Sequence, residues 1–183
     1  MYHISIISSS IRTGRKSHNV ALYFQNYLNE NRLATVEILD LASYNFPIFE
    51  APLKYQPNPS MVALEFKNKI ISSDGIIIVT PEYNGSIPAS LKNSIDLLFE
   101  EWHRKPVAFS TVSSGDFGGL QALMHLQFIF WKLRAWTFTA NFPVSKVQEK
   151  FVDHGVPTNK QETDEYAQIF IDEFFKCIEA SLK

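Results

Sequence analysis

The stretch SDGIIIVTPEYNGSIPASLKNSIDLLF, Ser73 to Phe99, changes its pattern twice and decides how the rest of the chain is read. Gly75 to Thr80 is a short run dominated by β-branched residues, which suits a strand covered on both faces of a parallel sheet. Pro81, Asn84, Gly85 and Pro88 then forbid regular structure. Leu91, Ile95 and Leu98 afterwards fall on one helical stripe. The order is strand, irregular loop, helix. In an open parallel sheet, ligands bind beyond the carboxyl ends of strands, so Pro81-Glu82-Tyr83-Asn84-Gly85-Ser86 lies where chemistry is expected. The plainer reading is a connecting turn, with Pro88 starting the helix and Ser86 near its cap.

The same succession repeats on either side. Tyr2 to Ser8 predicts a first strand, central in the sheet, and leads into the loop Ser8-Ser9-Ser10-Ile11-Arg12-Thr13-Gly14-Arg15-Lys16-Ser17. A helix beginning near Ser17 carries Val20, Ala21, Phe24 and Leu28 on one face. Free amides and the dipole at its start favour an anion, and Arg12, Arg15 and Lys16 add charge suited to phosphate. An ordinary cap beside a solvated basic turn is the alternative. A Walker A loop is excluded by spacing, since Arg15 occupies the lysine position and Ser9 replaces the leading glycine. A receiver domain is excluded because the first strand ends in serines, without the acidic cluster that a divalent cation needs.

Ala34 to Leu39 predicts a second strand at the sheet edge. Asp40 to Ser60 has no periodicity but carries four prolines and the aromatics Tyr44, Phe46 and Phe49. It is expected to pack on the rim, walling a pocket or a subunit contact. Met61 to Ile71 predicts a helix that brings the chain back to the opening stretch. Glu101 to Arg104 reads as a polar connection, Val107 to Val112 as the fourth strand, and Ser113-Ser114-Gly115-Asp116-Phe117-Gly118-Gly119 as a third loop at the same sheet edge. Trp136 to Ala140 is expected to be the fifth strand, followed by an irregular segment from Phe142 to Gly155. The final helix, Glu162 to Leu182, would turn Tyr166, Ile169, Phe170, Phe174, Cys177 and Ile178 inward.

The helix Leu120 to Arg134 has two apolar faces: Leu120, Met124, Phe128 and Trp131 on one, Leu123, Leu126, Phe130 and Leu133 on the other. A helix that covers a sheet needs one. The second predicts a homodimer contact, or else burial by the C-terminal segment.

Composition narrows the classes. At 183 residues the chain fits a single domain over 1–183 with a full α/β core. A net charge of −2, with 17 basic and 19 acidic residues intermixed, gives no reason to expect a general nucleic-acid surface. The single cysteine, Cys177, excludes a disulfide framework, a cysteine-rich zinc site and a multi-cysteine iron–sulfur cluster, and none of the five histidines has metal-ligand spacing. That cysteine usage favours a cytoplasmic location, and the apolar start, Tyr2 to Ile7, is too short for a signal peptide or membrane span and reads as a strand. Strands alternating with helices five times predict a doubly wound parallel α/β sheet in the order 2-1-3-4-5, helices on both faces. Its switch point lies between strands one and three. A ligand with phosphate at one end and a flat ring at the other would span their loops.

PEYNGSIPASLKNSIDLL resembles the signature of the NADPH-dependent FMN reductase family, flavodoxin-like proteins that include quinone, azo-compound and chromate reductases. Ser9-Ser10-Ile11-Arg12 is similar to that family's Gly-Ser-x-Arg phosphate loop, and Ser113 to Gly119 to its Ser-x-Gly-x-x-Gly-Gly segment. The chain departs from the first motif at Ser9, where a positive φ would cost on the order of 1 kcal/mol. The resemblance implies bound FMN, its phosphate on Ser10, Arg12 and Ser17 with His18 and Asn19 nearby. The ring would meet Pro81, Glu82, Tyr83, Asn84 and Gly85, with Ser113, Gly115 and Gly118 along its far side. It further implies NADPH or NADH as co-substrate, a quinone, azo, metal-oxyanion or flavin acceptor, and dimers or tetramers. No catalytic side chain is expected, because the cofactor performs the hydride chemistry. An FMN-binding electron carrier or redox sensor, and a nucleotide-binding module of another kind, are the competing readings.

Overall fold

The computed structural model of the chain describes residues 1–183. Four parallel strands, β1 (Tyr2–Ser8), β2 (Ala34–Asp40), β3 (Gly75–Pro81) and β4 (Val107–Val112), form one sheet in the order β2-β1-β3-β4. Ser8 lies opposite both Asp40 and Val79, so the segments after β1, β2 and β3 leave at the same edge. Helices α1 (Ser17–Glu30), α2 (Leu41–Tyr44), α3 (Met61–Ser72), α4 (Ala89–Asp96), α5 (Leu120–Lys132), α6 (Val147–Lys150) and α7 (Lys160–Ser181) complete the α/β order.

The side-chain alternation of a strand divides the core in two. Ile77 and Val79 of β3 join the cluster under α1 and α7, with Phe24, Phe142, Phe170 and Phe174. Ile76 and Ile78 join the cluster under α3, α4 and α5, with Phe66, Leu91, Phe109 and Phe130. Both sets are fully buried, which is why β3 needs an unbroken apolar run. Gly75 is required by packing: a Cβ there would lie 2.5 Å from the Phe174 ring.

The fifth strand does not form. Residues 136–144 run beside β4, bonding Val107 N to Trp136 O at 2.8 Å and Val144 N to Thr111 O at 2.7 Å, but only isolated bridges Pro106–Trp136 and Val112–Val144 result. Eight residue steps separate Trp136 from Val144 (144 − 136) against six between Pro106 and Val112 (112 − 106). The two extra residues must bulge out, and Pro143 has no N–H to donate. The sheet is therefore four-stranded.

Other expectations shift in detail. In α7, Phe170, Phe174 and Ile178 are buried as predicted, but Tyr166 and Ile169 are exposed and Ala167 and Ile171 take the inward places. Cys177 is half-buried, its thiol pKa raised by burial. Trp102, read as part of a polar connection, is fully buried: its Nε1 donates to Ile95 O at 3.2 Å and its ring meets Phe130 edge-on. The two-faced α5 sits as the periodicity implies, with Leu123, Leu126 and Phe130 buried. Leu120, Met124, Phe128 and Trp131 stand 53–70% exposed. α7 packs on the opposite side of the sheet, so it does not cover them. The 40–60 segment is ordered by its aromatics: Tyr44 and Phe46 both meet Phe66 edge-on, and Leu53 is buried with its N–H donating to Leu97 O.

Candidate functional site

Three loops converge at the carboxyl edge of the sheet. The first, after β1, is fastened to β3 by Ser9 N donating to Val79 O at 3.1 Å. Ser9 and Ser10 both lie outside the left-handed region, so a serine in glycine's place carries no φ strain. The Ser9 hydroxyl is buried without a hydrogen-bond partner. Ser10 Oγ lies 2.7 Å from the Tyr83 hydroxyl and so joins this loop to the next.

That second loop is a tight hairpin. Tyr83 and Ser86 exchange backbone hydrogen bonds of 2.8 and 3.1 Å around Asn84 (φ 49°) and Gly85 (φ 76°). Positive φ at both central positions is the reason for an Asn-Gly pair. The Glu82 carboxylate accepts from Gln121 N at 2.9 Å and Ala122 N at 3.3 Å, capping the start of α5. Ser86 Oγ sits 2.7 Å from His125 Nδ1, further along the same helix. Glu82 and Ser86 thus dock the hairpin onto α5.

The third loop follows β4. Ser113 Oγ donates to Gly115 O and Thr111 Oγ1 to Gly118 O. Gly118 and Gly119 both have positive φ, and a Cβ on Gly118 would lie 2.8 Å from the Pro143 side chain.

Between the loops lies a groove of about 250 Å³. Arg12, Ser17, Pro81, Glu82, Tyr83 and Ser113 line it, and Ser10 borders it through Tyr83. The remaining predicted site residues lie outside its lining. His18 is turned beneath the loop, its Nδ1 2.9 Å from Ser8 Oγ, and Asn19 is buried on α1. Asn84 and Gly85 form the hairpin tip, and Gly115 and Gly118 shape the third loop. Gln148 and Val147 of α6 also line the groove; they fall in a stretch without periodicity, and no motif marks them.

The charges are not equivalent. The Arg15 guanidinium, which also lines the groove, grips the Asp40 carboxylate at 2.5 Å through both nitrogens and donates to Ser10 O, so its charge is already engaged and it braces the loop. Burial pushes the Asp40 carboxyl up, but Arg15 and the Ala42 amide outweigh it and hold its pKa below the usual range. Burial, helped by the Arg15 charge, lowers the His18 pKa and favours a neutral ring. Lys16 approaches Asp153 at 3.7 Å, an exposed pair of little worth. Arg12 lines the groove without an acidic partner. The groove thus offers a guanidinium without an acidic partner and a helix start, which suits a phosphate. No group of His, Cys, Asp and Glu could hold a metal ion, and no helix is long and apolar enough to cross a membrane.

The fold is that of a flavodoxin-like α/β protein, and the groove lies at the sheet's carboxyl edge. A flavoenzyme NAD(P)H:(acceptor) oxidoreductase from Paracoccus denitrificans shares this fold, with a TM-score of 0.80 over 99% of both chains at 23% identity. The chain belongs to the NADPH-dependent FMN reductase family, whose model matches residues 2–149. An NAD(P)H-dependent FMN reductase of Saccharomyces cerevisiae is 30% identical over 137 residues, 68% of this chain and 71% of that protein. One from Nectria sp. is 32% identical over 130 residues, 67% of this chain and 64% of its own length. A quinone reductase of Pseudomonas putida is 34% identical over 128 residues, 67% of this chain and 66% of its own. Members of this family are FMN-dependent NAD(P)H oxidoreductases, and this chain is one of them.

Proposed function

We propose that the chain is a single FMN-binding domain that passes reducing equivalents from NADPH or NADH to a small acceptor such as a quinone, and that the groove between the three loops holds the cofactor. The observation that carries this is Arg12, a groove-lining guanidinium with no acidic partner, beside the start of α1. Arg12, the Ser17 end of α1 and the Ser10 hydroxyl would hold the phosphate. The hairpin backbone from Glu82 to Gly85 would meet the flat ring, while the third loop closes the far side. FMN, once bound, supplies the two-electron chemistry, so the protein's work is binding, orientation and leaving one ring face open. Arg15 and Asp40 hold the loop's shape, and Tyr83 ties it to the hairpin.

FMN and riboflavin titrations of Arg12→Ala test the site. FMN affinity should fall about 10-fold or more, the loss of one charge-assisted contact, with riboflavin affinity unchanged. An equal loss for both ligands refutes the phosphate assignment. Steady-state NAD(P)H oxidation by the FMN-loaded protein separates an enzyme from an electron carrier: no turnover with any quinone or free flavin favours the carrier.

A second copy on the exposed face of α5 is part of this proposal. Leu120, Met124, Phe128 and Trp131 form a contiguous apolar stripe that nothing within the chain covers. A cytoplasmic location agrees with the single, unpaired Cys177 and with the need for a nicotinamide donor.

A further inference from the structure

A second cavity, about 370 Å³, opens between the segment that follows residue 141, the end of α6 and the first two turns of α7. Its volume lies within the roughly 300–1,000 Å³ of small-ligand sites. Most of its lining comes from beyond residue 149, where the family match ends, so the features that define the family do not account for it. Its floor is aromatic and fixed. Phe142 and Phe151 are each 3% exposed, and the Tyr166 ring stands 5.2 Å from that of Phe142. The polar groups of the rim are largely engaged. Thr158 Oγ1 donates to Glu149 O at 3.0 Å and Thr163 Oγ1 to Asn159 O at 2.7 Å, while the Asn159 side chain holds Glu162 N at 3.3 Å.

Two charges remain. Lys150 and Glu162 both line the cavity, and neither forms an ion pair, with the other or with any residue, although the neighbouring Lys146 and Lys160 are both paired. Glu162 accepts from Asn159 Nδ2 at 2.8 Å through one carboxylate oxygen, ordinary work near a helix start, and its other oxygen is uncommitted. The Lys150 ammonium has no hydrogen-bond partner at all and moves on a flexible four-carbon stem. An anion alone would suit Lys150 and be repelled by Glu162; a cation alone would meet the reverse. A ligand that answers both carries the two charges together, next to an apolar ring.

We propose that this cavity binds an aromatic α-amino acid as its zwitterion, with the ammonium on the free Glu162 oxygen, the carboxylate on Lys150 and the ring against Phe142, Phe151 and Tyr166. The cavity and the cofactor groove share no residue. Val147 and Gln148 of α6 line the groove and Lys150 of the same helix lines the cavity, so both can be filled at once.

The test is calorimetric titration of the FMN-loaded protein with L-phenylalanine, with phenylalaninamide, which lacks the carboxylate, and with 3-phenylpropionate, which lacks the ammonium. The expected result is one phenylalanine site per chain, with either analogue bound about 10-fold or more weakly, the loss of one charge-assisted contact. Lys150→Gln should weaken phenylalanine and leave phenylalaninamide unchanged. Glu162→Gln, which keeps an oxygen for Asn159, should weaken phenylalanine without weakening 3-phenylpropionate. Both residues are exposed, so both variants should fold, and their FMN content checks this. Equal affinity for the three ligands overturns the proposal, as does phenylalanine binding unaltered in both variants or absent from the wild type. Displacement of phenylalanine by NADP also overturns it and gives the cavity to the nicotinamide donor.

Discussion

His18 shows how one residue beneath a binding loop couples that loop to pH. Its folded pKa lies below the unfolded 6.5 because the ring is partly buried and faces Arg15. Between those two values the unfolded chain binds a proton that the folded chain does not, so stability is complete above pH 6.5 and declines as pH falls below it. Asp40 acts lower on the scale. Its pKa is depressed from 3.8, so its contribution is present above that value and is lost as pH falls through the folded pKa. Urea midpoints measured from pH 7.5 to 5 should fall for the wild type and fall less for His18→Gln. Parallel curves would show that His18 titrates alike in both states. Arg12 and Arg15 make a related point: both are basic residues of one loop and both line the groove, but Arg15 is held by Asp40 while Arg12 has no acidic partner.

At the level of the element, the hairpin and α5 behave as one unit. Glu82 caps the helix, Ser86 reaches His125, and the backbone at Gly85 approaches Gln121 closely. Gly85→Ala would place a Cβ 2.5 Å from Gln121 Oε1 at a φ of +76°. The glutamine can swing away, but the left-handed backbone remains, at a cost of about 1–2 kcal/mol. The expected outcome is a lower urea midpoint and weaker FMN binding, while Asn84→Gly, which suits the same turn, leaves both nearly unchanged. Equal behaviour of the two variants would show that the turn conformation is not required. The Asn-Gly pair marked a break that the sequence presents as an irregular loop, not as a hairpin. Neither the Tyr83–Ser86 pairing nor the docking on α5 was legible, the latter because Glu82 and Gln121 are distant in the chain.

For the whole molecule, the two faces of α5 separate stability from assembly. Phe130 is fully buried against Trp102 and Phe109, so a charge there should unfold the chain, not merely dissociate it. Even Phe130→Ala should cost about 3–5 kcal/mol. Phe128 is 68% exposed, so Phe128→Glu should leave the melting temperature of a monomer intact. If a second copy covers the stripe, light scattering will show the wild type larger than Phe128→Glu; equal masses would show that the stripe is bare. Periodicity revealed both faces but could not say which was inward, since that depends on where β4 lies.

The sequence by itself determined the four strands, the helices α1, α3, α4, α5 and α7 and the three loops, because local patterns carry that information: apolar runs, stripes at helical spacing, and glycine or proline breaks; the short α2 falls in a stretch without periodicity. It also marked the family through the PEYNGS loop. Only the tertiary structure decided that the segment after Trp136 fails as a fifth strand, since a ladder needs equal residue counts on two strands far apart in the chain. The same holds for the core place of Trp102, for the burial of Ala167 and Ile171 in α7, and for the pairing of Arg15 with Asp40. Each depends on which surfaces meet, and that is settled by packing across the sheet.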